Sequence, residues 1–375
     1  MRRSHRIFSL LSLASLVLAA CAAPTQRPAS PTPALAPTGT PSPVPPPVDL
    51  SGLHTYLTGK TGELHTATTA LKNAAQTYFQ LASQSNFNYA ALWQNHSQEA
   101  IAAVNAARAA WTQAGPLYRQ SEGIVAGTPS LADFDILLSA GASAAADAQN
   151  AAPYDLTLGD GRVLPRPGNL LGVTESTLWG TWPDFTAPVP ADFNRDGTLE
   201  FGEALPDAYV LQAATAALDQ YAGELQTAAA AWTPTPSDAL SALVTMVPTM
   251  NEDFQSWKQS RFVAGDATTR RDLGVISRLA DILDILSSLQ VVHDNVSPLI
   301  QRVTPRQDQD IRQGLTDLRA FVADVYQQEQ DGKVFTPEEA DLLGSEAQNR
   351  ATAITGLVTQ AAAQLNVELV HPRPR

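Results

Sequence analysis

The sequence predicts an all-α protein: two helical bundles joined by a long central loop region that carries a calcium loop. Three observations predict it. From Leu50 to Leu365, apolar residues recur at three- and four-residue spacing in the segments outside 151–202. Ala is abundant and aromatics make up only 7% of 375 residues, which favours closely packed helices over a β-sandwich. Residues 151–202 break the pattern with Pro153, Gly159, Gly161, Pro165, Pro167, Gly168, Pro183, Pro188 and Pro190. A loop region this long inside a compact protein usually carries function.

The N-terminus reads as an address and a tether. Arg2, Arg3 and Arg6 precede an apolar run from Ile7 to Ala20, the pattern of a secretory signal and too short to span as a mature helix. Its end, Leu18-Ala19-Ala20-Cys21, resembles the bacterial lipoprotein lipobox. That resemblance implies cleavage before Cys21 and lipid attachment to its sulfur. Residues 22–49 hold ten prolines among Ala, Ser and Thr, the composition of an extended, semi-stiff spacer. The expected location is the bacterial cell envelope, with the membrane as partner through the lipid.

The N-terminal bundle is expected over 50–182. Its first helix runs from Leu50 to about Leu81, with helical apolar spacing in Leu53, Tyr56, Leu57, Leu64, Leu71, Tyr78 and Phe79. A second runs from about Tyr89 through Trp111 and ends before Gly115-Pro116. A third starts near Ser130 and crosses the Ala-rich stretch to about Gln149, and a short one fits Leu170–Trp179. The C-terminal bundle is expected over 204–366. Its helices cover about Glu203–Trp232, Ser237–Phe262 with a kink at Pro248, Asp272–Val296 stopped by Pro298, and Arg306–Gln330. The last opens on Thr336-Pro337-Glu338-Glu339, with Thr336 as cap. Leu273, Ile276, Leu279, Ala280, Leu283, Leu286 and Leu289 read as a core stripe, and Asp308, Asp310 and Asp317 as a solvated face.

Between the bundles, 183–203 holds the calcium loop. Calcium wants six to eight oxygens. Asp192, Asn194 and Asp196 occupy loop positions one, three and five, Gly197 stands at the sharp turn, and Thr198 offers its carbonyl at seven. Glu200 and Glu203 stand at nine and twelve. The prolines before the loop exclude an ordinary entering helix, so the expected role is a structural clamp rather than a paired sensor.

Gly168-Asn169-Leu170-Leu171-Gly172-Val173-Thr174-Glu175-Ser176-Thr177-Leu178-Trp179-Gly180 resembles the signature segment of the imelysin and EfeO-like (M75-type) family. Glu175, Leu178 and Trp179 match the motif Gly-x-His-x-x-Glu-x-x-Leu-Trp, whereas Gly172 stands where the histidine belongs. Trp111 to Glu122, Ser260 to Asp266, Asp272-Leu273 and Asp331-Gly332 resemble further family segments. The resemblance implies helical, periplasmic or lipid-anchored proteins, several tied to iron uptake, with a membrane transport partner. It makes Glu175 and Glu122 candidate metal ligands, with Asp133 or Asp135 beside them and iron as the candidate ion. The missing histidine removes the nitrogen that suits a transition metal.

Composition narrows the function. The net charge of -13 argues against nucleic acid, because phosphate rewards Lys and Arg clusters. With Cys21 the only cysteine, no disulfide framework or zinc finger can form. No His-Glu-x-x-His, Gly-x-Ser-x-Gly or phosphate loop is present, so no enzymatic activity is expected. His54 and His65, eleven residues apart, can share a helix face but not one metal. Trp93, Trp111, Trp179 and Trp182 read as core before they read as a ligand cleft. Two functions compete: a non-enzymatic, surface-anchored metal-binding protein, and a structural or adhesive surface module braced by calcium.

Overall fold

α1 (Ser51–Gln84) and α2 (Tyr89–Val125) form a long hairpin, with Asn88 capping α2 by accepting the Ala91 amide at 3.1 Å. The structure is a computed structural model that describes residues 48–268, 270 and 272–370. The signal, Cys21 and the spacer up to residue 47 lie outside the described residues. From Pro47 on, the chain folds as one compact unit.

α2 runs through Pro116, where the sequence predicts an end. A proline there removes one backbone hydrogen bond. Burial on both sides of it, from Trp111 through Tyr118 to Val125, outweighs that loss. The departure from helical geometry falls instead at His96 (φ −137°, ψ 29°). The Ala-rich stretch is a second correction. α3 (Ala132–Asp135) passes into a π-helical turn over Ile136–Ala140 and stops at Gly141. Beyond it the backbone pairs outward: Ala142 N donates to Asn150 O at 3.0 Å, Ala144 N to Arg166 O at 2.9 Å, and Gly141 O accepts from Asn169 N at 2.9 Å. Tertiary hydrogen bonds override alanine's helix preference here.

Two short ribbons interrupt the helices. β1 (Leu156–Thr157) pairs antiparallel with β2 (Val163–Leu164). α4 (Leu170–Trp179) lies where the sequence predicts it, capped by the Asn169 side chain and ended by Gly180 at φ +68°. β3 (Thr186–Pro190) pairs antiparallel with β4 (Ala204–Pro206), and the loop between them spans 191–203. α5 (Ala208–Ala231) therefore begins only after β4, on an Asp207 cap.

α5 packs against α1 and α4, so its apolar face (Leu211, Leu218, Leu225) joins the helices that precede the central region. α6 (Pro236–Met246) and α7 (Met250–Gln259) meet at a 3₁₀ turn around Pro248, the expected kink. A one-turn α8 (Arg261–Ala264) follows. α9 (Arg278–Gln301) starts later than predicted and runs through Pro298, while α10 (Pro305–Gln330) packs beside it and α11 (Pro337–Gln364) packs on α10 and α7. Leu279, Leu286 and Leu289 are buried as predicted, but Leu273 and Ile276 precede the helix and are only half-buried. α9 also lies on α2, which joins the two sets of helices.

Asp308 departs from the expected solvated face. It is buried between α9 and α10, 3.1 Å from His293 Nε2, and accepts from Gln301 Nε2 at 2.8 Å. Asp310 and Asp317 are exposed. Thr336 makes both bonds of a capping box with Glu339. Thr336→Ala should cost about 1 kcal/mol, read as a lowered urea midpoint with unchanged slope. No helix among the described residues is long and apolar enough to cross a membrane.

Candidate functional site

α2, α4, α7 and the segment before α9 enclose a cavity of about 190 Å³. Glu122 and Glu175, the two candidate ligands, both line it. Asp133 and Asp135 are not among its lining residues; Asp135 is buried elsewhere and accepts the Tyr118 hydroxyl at 2.8 Å. A second cavity of about 610 Å³ shares Ser139, Asn169, Gly172, Arg270 and Asp272 with the first and reaches Trp182 and Phe185.

Glu175 sits in the middle of α4 and is almost fully buried. It is bound by backbone from nearly a hundred residues away. Leu273 N donates to Oε2 at 3.0 Å, while Gly274 N and Val275 N donate to Oε1 at 2.7 and 3.1 Å. Leu273 holds φ at +58°, which turns successive amides toward one point. Burial and the neighbouring Asp272 push the Glu175 carboxyl up to about 8, against the pull of the three amides.

Arginines supply the rest of the lining. Arg119 Nη1 donates to Glu122 Oε2 at 2.7 Å and to Ser139 Oγ, and its Nε lies 3.3 Å from Asp281 Oδ2. Burial opposes the Arg119 charge, but Asp281 and Glu122 hold it above the ordinary arginine range. Arg278 bonds Asp253 at 2.6 Å and Asp281 at 3.1 Å. Arg270 clasps Asp272 with Nε at 2.9 Å and Nη2 at 2.8 Å. The spacings Arg119–Glu122 and Arg278–Asp281 are i,i+3 pairs on helices, a signal legible in the sequence that the motif search passed over. Nothing local announces Arg270 or Asp253. The lining includes no histidine. Glu175 and Glu122 are thus tied to amides and a guanidinium, and this donor set does not fit a transition metal.

The 191–203 loop lies beside this cleft and closes on itself. Asp192 Oδ1 accepts Arg195 N at 2.5 Å and Oδ2 accepts Gly197 N at 2.8 Å. Asn194 Oδ1 accepts Asp196 N at 2.9 Å, and Asp196 Oδ1 accepts Thr198 N at 2.8 Å. Glu203 reaches back, with Oε1 on Phe193 N and Asn194 N at 3.0 and 3.1 Å and Oε2 on Glu200 N at 2.9 Å. Gly197 takes φ +87°, the left-handed turn the loop pattern asks of it. Among the described residues, no three His, Cys, Asp or Glu side chains are grouped to hold a metal ion.

Anchors missed in the sequence dock the loop. Phe193 stacks on Trp93, and the Arg108 guanidinium lies 4.8 Å from the Phe193 ring and 5.3 Å from the Trp179 ring. Arg108 also donates to Leu178 O at 2.8 Å and to Gly202 O. A side chain at Gly202 would start 2.9 Å from the Trp179 ring, so glycine is needed there. Phe201 lies under Arg261, 3.7 Å from its guanidinium carbon, and against Gly274 in the segment that holds Glu175.

The remaining candidates have structural partners. His54 and His65 both face α5, with His54 Nε2 near Ala230 O at 3.3 Å and His65 Nδ1 2.8 Å from Gln226 Oε1. Trp111 donates to Leu171 O at 3.1 Å and packs edge-on to Trp179 while lining the cleft. Trp182 stacks on Phe185.

A helical body closed around a charged, histidine-free cleft, with a ring-shaped acidic loop beside it, is the class that fold and site define. The Imelysin family model (peptidase M75) matches residues 53–365. That is most of the chain, and the chain belongs to the imelysin family. No curated protein matches it.

Proposed function

We propose that this chain is a non-catalytic, envelope-anchored imelysin-family protein whose Asp192–Glu203 loop binds calcium and braces the junction between its helices. Asp192, Asn194, Asp196, Glu200 and Glu203 would hold the ion, with the Thr198 carbonyl completing the set. The observation that carries this reading is the reach of Glu203 to the backbone of residues 193 and 194, which closes the ring across ten residues. The loop touches α2, the end of α4 and the segment carrying Gly274, so an ion there stiffens three elements at once. The lipobox-like segment ending at Cys21 and the proline-rich spacer support a membrane tether. Family membership supports a setting in iron uptake, with a transport partner in the membrane.

A second reading has its own observation. Glu175 and Glu122 are committed to backbone amides and to Arg119, which favours a structural or adhesive surface module braced by calcium.

Calcium at a hundredfold excess over its Kd should stabilise the protein by about 2.7 kcal/mol, a rise of several degrees in Tm. Asp192→Ala or Glu203→Gln should abolish that rise. A Tm equal in EDTA and in millimolar calcium would end the calcium reading.

A further inference from the structure

We propose that the cleft beside Glu175 carries its cations as arginine side chains and takes no transition-metal ion, with Arg270 on Asp272 standing where a metal would neutralise the site. This inference is independent of the calcium loop. It comes from the way the carboxylates of Glu175, Asp272, Glu122 and Asp281 are already bonded.

Both Glu175 oxygens are held by the amides of Leu273, Gly274 and Val275. These amides take most of the carboxylate's roughly four lone-pair sites, which leaves little of it to a metal. Both Asp272 oxygens lie on the Arg270 fork, the strong bidentate geometry for a carboxylate and a guanidinium. Glu122 accepts from Arg119 and from Ser139, and Asp281 lies between Arg119 and Arg278. Position 172 offers no nitrogen, and Asp272 and Asn169 lie close beside it. A side chain there would start 3.4 Å from Asp272 Cβ and 3.1 Å from Asn169 Oδ1.

The two solutions differ chemically. A metal site depends on ion supply and on deprotonated ligands. A guanidinium keeps its charge at every physiological pH and stays attached to the chain. The cleft is thereby closed to iron as direct cargo. Whatever enters it is bound by hydrogen bonds to fixed arginine and carboxylate groups.

The test uses the chelator-stripped folded protein in saturating calcium, so that the 191–203 loop cannot compete. Zinc, and ferrous iron under nitrogen, are added while calorimetric binding and Tm are followed. Wild type should show neither binding heat nor a Tm shift. Arg270→Gln, which leaves Asp272 without its cation, should melt at least about 4 °C lower and recover half or more of that loss on adding zinc or ferrous iron. Arg270→Lys should melt higher than Arg270→Gln and ignore the metals. The double variant Arg270→Gln/Asp272→Asn restores charge balance and should also ignore them, which keeps the test readable if Arg270→Gln fails to fold. One equivalent of metal bound by wild type and lost in Glu175→Gln would overturn the proposal. So would an Arg270→Gln protein that melts low and gains nothing from either metal.

Discussion

Arg119→Met should destabilise the protein by about 3–5 kcal/mol, the cost of removing one partner from a buried ion network. Arg119 is 7% exposed, and its guanidinium is shared between Glu122, Ser139 and Asp281. Methionine fills the volume of the aliphatic stem, so the loss reports charge rather than packing. Glu122 and Asp281 are left buried near each other, with Arg278 still bonded to Asp281. The measurement is a urea titration at neutral pH with the midpoint compared at fixed slope. Arg119→Met/Glu122→Gln should recover part of the loss, because one uncompensated carboxylate goes with the arginine. A single variant within about 0.5 kcal/mol of wild type would show that the network is solvated in solution.

Glu175→Ala should cost about 3 kcal/mol, because one buried and two part-buried amides lose their acceptor together. The affected bonds are those from Leu273, Gly274 and Val275, so the damage should appear far from α4 in sequence. Hydrogen exchange of residues 273–275 should speed up in the variant while α10 and α11 keep their protection. The same carboxyl gives the protein a pH dependence. Its folded value is raised by burial and Asp272 from 4.5 to about 8. Between those values the folded state holds more protons than the unfolded one, so stability falls as pH rises. This contribution is fully present below about 4.5 and lost as pH climbs through about 8. Glu175→Gln should flatten that slope. An unchanged stability–pH curve in the glutamine variant would place the Glu175 carboxylate near its ordinary range.

The iron expectation shows how a motif can be matched in letters and altered in chemistry. Glu175, Leu178 and Trp179 stand in register with the family segment, and α4 forms over the expected ten residues. What the glutamate does depends on amides 98 to 100 residues further along, a separation over which no local pattern speaks. Gly172 signals a lost nitrogen ligand in the sequence. That Asp272 lies beside Gly172, clasped by Arg270, emerges only from folding.

By itself, the sequence determined the helical class, the short helix over Leu170–Trp179, the kink at Pro248, the Thr336 capping box and the oxygen-rich loop from Asp192 to Glu203. These depend on interactions within a few residues: apolar periodicity, a cap three residues away, a proline ring, a glycine at a left-handed turn. Tertiary structure alone decided that the Ala-rich stretch after Gly141 is not helical, that α2 and α9 run through Pro116 and Pro298, that α5 packs with the first helices, and that Asp308 is buried. It also decided that Arg119, Arg270 and Arg278 meet at one cleft. In each case the deciding energy is burial or a hydrogen bond between segments distant in the chain. Such energies exceed the fraction of a kcal/mol per residue that local preference contributes.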